Sequence, residues 1–385
     1  MMTHFNIRIL YLYKRLSPPA NFKDTHFIGG AQKRTIQLAK LFKKNGAEVI
    51  IGTDDPANSI VVKDLKDIGI KHYRIPFFKN DIISIITSLF KLIHLIKKEK
   101  IDIIHSHHRR TTVISFIVTK ITKKKMIHNA RLTFDDKRYF GKFSGNNIIA
   151  VSSGVKRNLI KKFNIESDRI TVIYNGLSIE MPSKEEICKY KKLLNIKNDE
   201  IVISVIGRLS KQKGHKYLIR ALPKIINKSI SLKIIFVGGE ATYEYGIEKK
   251  LKMEAKRLQV NNMIIFMGHQ DYVEPFIELS EFTVLPSLRE GLPGAAIESL
   301  LMEKPVVATR IGGTTEVIEN EVNGLLVEPK NSEALADSIL YMIENKKLAK
   351  KMGEKGRKIA EEKFSVQKMF ENYRKYYSTI LENRI

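Results

Sequence analysis

The residues best suited to chemistry lie in one short stretch, 286–298, where glycine and proline surround two carboxylates. An apolar run ends at Pro286, and a helical pattern starts near Gly294. The stretch contains Glu290, Gly291, Leu292, Pro293 and, one turn into the helix, Glu298. In an open parallel sheet, ligands bind beyond the carboxyl ends of strands, where a following helix N-terminus favours phosphate. Carboxylates accept hydrogen bonds from sugar or ribose hydroxyls, so this stretch is a candidate binding site.

Two cations follow another apolar run in a similar position. The run Ile201–Ile206 leads directly into Gly207 and Arg208, and Lys213 comes shortly after. Solvated loop cations are the alternative, but a position directly after a buried-looking strand favours a role with an anionic ligand. Such cations can stabilise negative charge on a phosphate without a metal ion.

Histidines cluster in the N-terminal half. His128 ends the apolar run Lys125–His128, so its ring is expected at the carboxyl edge of a sheet. A second cluster ends the preceding apolar run and consists of His105, His107 and His108. No Cys, Asp or Glu with ligand spacing accompanies these histidines, so no metal site is predicted. Histidines of an acceptor cleft, or simply hydrogen-bonded loop histidines, are the favoured interpretations.

Short apolar runs alternate with helical patterns along most of the chain, which indicates parallel βαβ units. The alternation pauses in the polar stretch 179–200 and then resumes. We therefore predict an α/β chain of two doubly wound, Rossmann-like domains with parallel sheets, residues 1–178 and 179–365. The last helical pattern, about 366–385, carries an aromatic stripe and is expected to pack back on the first domain.

Taken in order, these motifs resemble the signature of glycosyltransferase family 4, a family of retaining enzymes with the GT-B fold. Glu290 and Glu298 lie in an E-G-x-P…E frame, with seven residues between the two carboxylates. The other matching landmarks are Gly29-Gly30, Tyr174-Asn175-Gly176, Gly207-Arg208-Leu209 with Lys213-Gly214, and Gly312-Gly313-Thr314. The resemblance covers nearly the whole chain and is strongest over residues 200–330. It implies two domains that face a cleft, the first for the acceptor and the second for a nucleotide-sugar donor.

The resemblance also implies catalytic groups. Arg208 and Lys213 would stabilise the leaving phosphate, Glu290 would lie near the sugar and phosphate, and His128 would contact the transferred sugar. No general base is named, because the leaving phosphate is expected to accept the acceptor's proton. Neither a cofactor nor a metal is expected; the nucleotide-sugar is a substrate.

A wider set of residues is expected to bind the donor. Glu298 would hold the ribose hydroxyls, backbone near Gly268 would contact the nucleobase, and Gly30 would let backbone approach the diphosphate or sugar. The full set of expected donor-binding residues is Gly30, Gly207, Arg208, Lys213, Gly268, Glu290, Gly291, Leu292, Pro293 and Glu298.

Positive charge is concentrated in the first half of the chain. The 385 residues carry a formal net charge of +26, and 33 Lys+Arg against 14 Asp+Glu place +19 of it in residues 1–180. This asymmetry suggests an anionic partner, lipid headgroups or nucleic acid, with lysines on ordinary solvated faces as the alternative. The sequence shows no zinc finger, RNP-type aromatic strand or recognisable basic helix motif, so no nucleic-acid partner is expected.

No stretch is long and apolar enough to predict a membrane span. The strongest candidate, Ile82–Ile96, is interrupted by Lys91 and His94, and its polar residues recur at spacings of three and four. This pattern favours a helix mostly buried against a sheet, with a membrane-surface helix as the alternative. The lone Cys188 and the absence of a signal-peptide pattern favour a cytoplasmic location, either free or peripheral on the inner face of the membrane.

The expected function is transfer of a sugar from a nucleotide-sugar, with UDP favoured, to a glycan or lipid-linked acceptor. Bacterial surface polysaccharide or lipopolysaccharide assembly is the expected setting. Two alternatives stay open. A nucleotide-sugar epimerase would use the same fold without an acceptor, and a nucleic-acid or anionic-surface binding protein would use the basic first half alone.

Overall fold

Two units make up the chain, and each is built around its own parallel sheet. The structure is a computed structural model that describes residues 7–17, 29–77, 81–133, 145–226, 228, 230–240 and 244–382. Unit 1 comprises Met1–Tyr174 with Met369–Ile385, and unit 2 comprises Asn175–Lys368. The predicted α/β fold with two Rossmann-like, parallel-sheet domains is confirmed. The functional domain boundaries placed after residue 178 and near residue 366 stay predictions.

Unit 1 is organised by a sheet of seven strands among the described residues. In chain order these are β1 (Arg8–Leu12), β2 (Glu48–Thr53), β3 (Lys71–Arg74), β4 (Ile103–Ser106), β5 (Lys125–Ala130), β6 (Ile148–Ala150) and β7 (Ile170–Val172). Their spatial order is β3-β2-β1-β4-β5-β6-β7, and the pairs are parallel. Isoleucine is the commonest residue of the inner strands β2, β1, β4, β5 and β6, because a parallel sheet is buried on both faces.

Helices connect these strands and place their N-termini at the carboxyl edge of the sheet. The described helices between the strands are α1 (Gly30–Lys44), α2 (Ile60–Asp67), α3 (Ile82–Lys98), α4 (Arg109–Thr122) and α5 (Ser153–Phe163), with a 3-10 turn at Ser167–Arg169. Helix α1 follows Gly29, has no side-chain cap and carries no acidic residue in its first turn. Helix α4 begins with two arginines and also lacks an acid there. In neither first turn does an acidic residue offset the positive end of the helix dipole, although the His108 side chain caps α4.

Strand β5 continues past the end predicted from the sequence. Asn129 and Ala130 pair with β6, so the strand runs two residues beyond His128. His128 consequently lies inside the sheet with only 2% of its surface exposed. The first residue beyond the end of β5 is Arg131.

The orientation of α3 differs from the predicted, mostly buried helix. Its serines face inward, and the Ser88 hydroxyl donates to the backbone oxygens of Ser84 (2.7 Å) and Pro76 (3.2 Å). Because the Ser88 hydroxyl donates to carbonyl groups and the Ser84 hydroxyl donates to the Asp81 carboxylate at 2.8 Å, these two serines do not need water. The first half of the helix instead exposes four large apolar side chains: Ile82 (72%), Ile83 (73%), Ile86 (46%) and Phe90 (70%). None of the helices within the described ranges is long and apolar enough to cross a membrane.

Unit 2 repeats the architecture with six strands in its described part. These are β8 (Ile201–Ile206), β9 (Leu232–Val237), β10 (Ile264–Phe266), β11 (Phe282–Leu285), β12 (Val306–Thr309) and β13 (Gly324–Val327). Their spatial order is β10-β9-β8-β11-β12-β13, again with parallel pairs. Its helices are α6 (Lys184–Leu193), α7 (His215–Ile226), α8 (Ile247–Arg257), α9 (Glu274–Glu278), α10 (Gly294–Leu301), α11 (Thr314–Val317), α12 (Ser332–Glu344) and α13 (Lys346–Phe364). Short 3-10 turns lie at Lys211–Lys213 and Asn261–Met263.

The last helix, α14 (Val366–Glu382), contributes aromatic residues to the core of unit 1. The Tyr377 hydroxyl lies 2.6 Å from His105 Nδ1 and 3.1 Å from the Tyr11 hydroxyl. Asn129 Nδ2 donates to the Tyr373 hydroxyl at 2.8 Å. Burial raises the pKa of Tyr373 to about 12, so this phenol stays protonated. The aromatic stripe of the last helix is therefore a packing face with buried hydrogen bonds.

Candidate active site

The loops that follow β8 and β11 are hydrogen-bonded to each other at the carboxyl edge of the unit 2 sheet. Leu288 N donates to Gln212 O at 2.7 Å, and Gln212 Nε2 donates to Arg289 O at 2.9 Å. The two strands are neighbours in the sheet, so the residues that follow them lie side by side. The two motifs singled out in the sequence are thus joined into one structure, at the edge where open parallel sheets bind ligands.

Lys213 and Glu290 form an ion pair between these loops. Lys213 Nζ is 2.6 Å from Glu290 Oε1, and the two side chains are only 20% and 7% exposed. The Ser287 hydroxyl donates to the same carboxylate oxygen at 2.7 Å. Breaking a pair this shielded from water is costly, because the remaining charge loses its partner. The pair therefore holds one cation and one carboxylate in fixed positions at the edge of the sheet.

Two glycines allow the backbone to close around this pair. Gly214 has φ +66°, and a β-carbon there would collide with the Pro286 carbonyl oxygen. Gly312 has φ +42°, and a β-carbon there would collide with the Glu290 carbonyl oxygen. Only glycine combines a positive φ with such close approach of another backbone segment. The chain after β12 is thereby brought against the loop that carries Glu290.

Glycines also line the adjoining part of the same edge. Gly207 N donates to Val237 O at 2.9 Å, and Gly238 N donates to Gly268 O at 2.8 Å. Gly207, Gly238 and Gly268 therefore follow three successive strands of the sheet, β8, β9 and β10. The Arg208 side chain is exposed beside them. This part of the edge combines glycine backbone, which no side chain covers, with the exposed guanidinium of Arg208. Backbone of this kind suits contact with a flat base, and the guanidinium suits a phosphate.

The rest of the loop and the start of α10 complete the predicted set. Gly291 and Pro293 are buried, and Leu292 is partly buried. Helix α10 begins at Gly294 without a side-chain cap or an acid in its first turn. Glu298 lies in the next turn and is half-buried. The N-terminus of α10 therefore follows the loop that carries Glu290, and Glu298 lies one turn into this helix.

Gly30 and His128 belong to unit 1 rather than to this group. Gly30 is the first residue of α1, and a β-carbon there would meet no atom of the described residues within 4 Å. His128 Nδ1 lies 2.6 Å from the Thr112 hydroxyl. Burial lowers the pKa of His128 to about 3, so the ring is neutral. Its predicted contact with a transferred sugar stays a prediction.

His105 and His107 of unit 1 are also buried and neutral. His105 and His107 stack with ring centroids 4.0 Å apart. Burial, with nearby cations, keeps the pKa of each ring well below its usual range. One ring nitrogen of each has a hydrogen-bond partner: His105 Nδ1 is bonded to the Tyr377 hydroxyl, and His107 Nδ1 to Arg131. This favours the interpretation as hydrogen-bonded histidines, and a role in an acceptor cleft stays a prediction. Within the described ranges, no group of three or more His, Cys, Asp or Glu side chains is arranged to hold a metal ion.

Sequence reasoning missed residues that build the surroundings of the site. Ser287 bonds to Glu290, and Thr309 donates its hydroxyl to the Ser287 carbonyl oxygen. Ser287 was visible inside the motif, but a serine beside proline carries no specific signal. Thr309 was not visible, because its contact depends on β12 lying next to β11.

Two parallel-sheet Rossmann-like units, one with this cation–carboxylate edge, define the class of GT-B glycosyltransferases. Residues 187–359 match the family model described as "Glycosyl transferases group 1". Residues 28–181 match the model described as "Glycosyltransferase Family 4". The chain is also 30% identical over 301 residues to the uncharacterized glycosyltransferase MJ1178 of Methanocaldococcus jannaschii, covering 74% of this chain and 78% of that protein. The chain belongs to glycosyltransferase family 4 and is a glycosyltransferase.

Two further relatives have more specific names. The capsular polysaccharide biosynthesis glycosyltransferase CapM of Staphylococcus aureus is 29% identical, over 90% of this chain and 93% of that one. The UDP-Gal:alpha-D-GlcNAc-diphosphoundecaprenol alpha-1,3-galactosyltransferase of Escherichia coli is 25% identical, over 90% of each chain.

Solved structures share the fold over almost the full length. A glycosyltransferase from Rickettsia africae superimposes with a TM-score of 0.86 at 26% identity, covering 98% of this chain and 100% of that one. The Anabaena protein Alr3699/HepE, solved in complex with UDP-glucose, superimposes with a TM-score of 0.82 at 23% identity, covering 97% and 100%.

The ion pair gives a direct prediction for Glu290→Gln. The amide can still accept the Ser287 hydrogen bond, so the fold is retained, but the fixed negative charge is lost. We expect sugar transfer to fall by about 100-fold, the range typical of losing one preorganised electrostatic group. Initial rates of transfer, with circular dichroism as the folding check, measure this.

The matched control is Glu328→Gln, which removes the same charge from a side chain that is 68% exposed on unit 2. It is expected to transfer at the wild-type rate. Wild-type turnover by Glu290→Gln would show that the carboxylate has no part in the reaction.

Proposed function

We propose that this glycosyltransferase transfers a sugar from a UDP-sugar to a lipid-linked glycan with retention of anomeric configuration, in bacterial surface polysaccharide or lipopolysaccharide assembly. The E. coli relative is named for a UDP-sugar donor and a diphosphoundecaprenol-linked acceptor, and the S. aureus relative for capsular polysaccharide. The Anabaena structure was solved with UDP-glucose. The observation that carries the donor part of the proposal is the shielded Lys213–Glu290 pair at the strand edge.

The proposed reaction uses this edge to stabilise the leaving group. The bond between the anomeric carbon and the phosphate oxygen breaks, and its electron pair goes to the phosphate. Lys213 and Arg208 stabilise the charge that develops there, so the proposal requires neither a metal nor another cofactor. The acceptor hydroxyl attacks the anomeric carbon from the same face, and its proton passes to the leaving phosphate oxygen. No carboxylate base is needed on the opposite face.

The remaining donor contacts follow the layout of the edge. Glu298 accepts hydrogen bonds from the ribose hydroxyls, and backbone at Gly268 contacts the uracil. The N–H groups of Gly291, of Leu292 and of the start of α10 face the phosphates and the sugar. Gly30 and His128 are proposed to contribute from unit 1, Gly30 through its backbone.

Donor identity and stereochemistry give one prediction. UDP-sugars are expected to raise the melting temperature of the protein, and GDP- and ADP-sugars to leave it unchanged, because only the bound series stabilises the folded state. With the active UDP-sugar, proton NMR of the first product is expected to show the donor's α configuration. Arg208→Ala is expected to remove the thermal shift.

Other outcomes of this assay decide between alternatives. Inversion of the product would contradict the retaining mechanism. Release of free sugar and nucleotide without need of an acceptor would favour an epimerase. The absence of any nucleotide-dependent shift, together with salt-sensitive DNA binding, would favour the nucleic-acid alternative.

The exposed half of α3 supports the membrane side of the proposal. Ile82, Ile83, Ile86 and Phe90 lie on one side of the helix, and the exposed Lys91, Lys97 and Lys98 follow on its second half. On the packed neighbour α4, Ile121 is 61% exposed and lies next to Lys120 and Lys123. Apolar side chains flanked by cations are typical of surfaces that bind anionic membranes. We propose that this face attaches the enzyme to the membrane that holds its acceptor.

Vesicle binding tests this attachment. Wild type is expected to cosediment with phosphatidylglycerol vesicles at low salt and much less with phosphatidylcholine vesicles. The double variant Ile83→Ser, Phe90→Ser is expected to bind about tenfold or more weakly, since each buried apolar side chain contributes about 1.5–3 kcal/mol. Met253→Ser, which changes a side chain 63% exposed on unit 2, is the control. Equal binding by wild type and the double variant would contradict the proposal.

A further inference from the structure

Cations gather where β1, β4 and β5 end in unit 1. Lys14 follows β1, Arg109 and Arg110 open α4 directly after β4, and Arg131 follows β5. These three strands are adjacent in the sheet order β1-β4-β5, so the residues after them share one edge. This is the edge at which an open parallel sheet binds its ligand, and none of these four cations is among the residues proposed above to bind the donor.

Arg131 is the clearest case of an uncompensated charge. Its guanidinium donates to the Ala31 carbonyl, to the Thr35 hydroxyl at 3.0 Å and to His107 Nδ1 at 2.8 Å. All three acceptors are neutral, and no carboxylate of the described residues forms an ion pair with Arg131. Burial lowers the pKa of this arginine, which means that the folded protein disfavours its charge. Partly buried cations of this kind are normally paired.

The histidine that holds Arg131 has an unsatisfied donor. Because the guanidinium can only donate, His107 Nδ1 must accept, and the proton of this neutral ring therefore lies on Nε2. His107 is only 5% exposed, and its Nε2 has no hydrogen-bond partner among the described residues. A buried N–H group without an acceptor costs free energy. Among the described residues, Arg131 and His107 therefore offer more hydrogen-bond donors than there are acceptors for them.

Like charges also oppose one another at the neighbouring corner. Burial and Arg110 lower the pKa of Lys14. Burial lowers the pKa of His108 to about 4, with added effects of Lys14, Arg109 and Arg110. Two arginines in the first turn of α4 are further disfavoured by the positive end of the helix dipole. The Tyr13 ring, 6.0 Å from the His108 ring, connects this corner with the Arg131 corner.

Three carboxylates of the described residues lie near this edge. Asp55 is fully buried and accepts hydrogen bonds from the backbone N–H groups of Leu16 and Ser17. Asp54 Oδ1 lies 3.5 Å from Arg74 Nε, and this carboxylate also acts on Lys14 and Arg110. Asp81 caps α3 and acts on Arg110. Among the described residues, no carboxylate acts on Arg131.

The apolar face of α3 starts at this same corner. Asp81 is the residue before Ile82, and its electrostatic interaction with Arg110 places the start of α3 beside the start of α4. A ligand held by the cations would therefore have exposed isoleucines next to it. This combination suits a phosphate group that is attached to a lipid.

We propose that Lys14, Arg110 and Arg131 bind a phosphate or diphosphate group of the acceptor, next to the apolar start of α3. Phosphate supplies a negative charge for Arg131 and an acceptor oxygen for the His107 N–H group, which the described residues do not supply. This inference rests on the proposed function, because it names the acceptor class of the same enzyme. It adds binding residues in unit 1 that are not among those proposed for the donor.

Geranyl diphosphate binding tests the inference on the full-length protein. UDP is kept at saturating concentration, so that the donor site cannot take up the probe. Wild type is expected to bind the probe, and Arg110→Gln and Lys14→Gln are each expected to raise its Kd by about tenfold, as expected for losing one charge-assisted contact. Arg131→Gln is expected to do the same if it folds. Lys161→Gln, which removes an exposed cation from the last turn of α5, is the matched control and is expected to bind as wild type.

Two further probes separate phosphate from lipid. Geraniol is expected to bind weakly, with the same Kd for wild type and for the cation variants. If geraniol binds as tightly as geranyl diphosphate, the inference is overturned. Binding of inorganic pyrophosphate is expected to weaken in the same cation variants. If it binds as tightly as geranyl diphosphate, the site recognises the phosphate alone; if more weakly, the prenyl chain contributes.

Failure of the inference can be told apart from failure of the proposed function. UDP binding is measured in the same samples before the probe is added. Intact UDP binding, with no geranyl diphosphate binding or with equal Kd values for wild type, Arg110→Gln and Lys14→Gln, would overturn the acceptor site alone. Loss of UDP binding by wild type would contradict the donor proposal instead.

Discussion

The 2.6 Å ion pair between Lys213 and Glu290 is the interaction on which the proposed donor edge of unit 2 depends. It joins the loop after β8 to the loop after β11, and the Ser287 hydroxyl donates to the same carboxylate oxygen. Backbone packing around it is so close that Gly214 and Gly312 cannot carry side chains. Removing a cation and a carboxylate from water costs desolvation free energy. Proteins often keep such costly ion pairs at functional sites.

Both units use the same physical arrangement, but with opposite electrostatic outcomes. In unit 2, the cation Lys213 is matched by a carboxylate, and Arg208 beside it stays exposed. In unit 1, Arg131 has only neutral acceptors, and its neighbour His107 is neutral as well. Both Lys213 with Arg208 and Arg131 with His107 lie at the carboxyl edge of a parallel sheet. Each strand there leads into a loop and then a helix whose N-terminus lies at the same edge. The sheets provide the positions, and the loop residues decide which ligand chemistry each edge suits.

The unit 2 site was predictable because its residues follow strands with unmistakable apolar runs. Ile201–Ile206 leads directly into Gly207, and the E-G-x-P frame lies between a strand and a helix. Unit 1 was less predictable. The strand that contains His128 runs on because Asn129 and Ala130 pair with β6, a long-range contact that no local pattern reveals. Likewise, the serines of α3 point inward because two backbone carbonyls accept from Ser88 and the Asp81 carboxylate accepts from Ser84, so apolar periodicity alone gave the wrong buried face.

The most direct test of the account is the affinity of UDP for Lys213→Met, measured by isothermal titration calorimetry. Lys211→Met is the comparison, since it removes an exposed cation two positions away in the same loop. The account predicts that Lys213→Met raises the Kd for UDP by about tenfold or more, as expected for a lost charge-assisted phosphate contact, and that Lys211→Met changes it by less than about twofold. Wild-type affinity in Lys213→Met would contradict the assignment of this edge as the donor site.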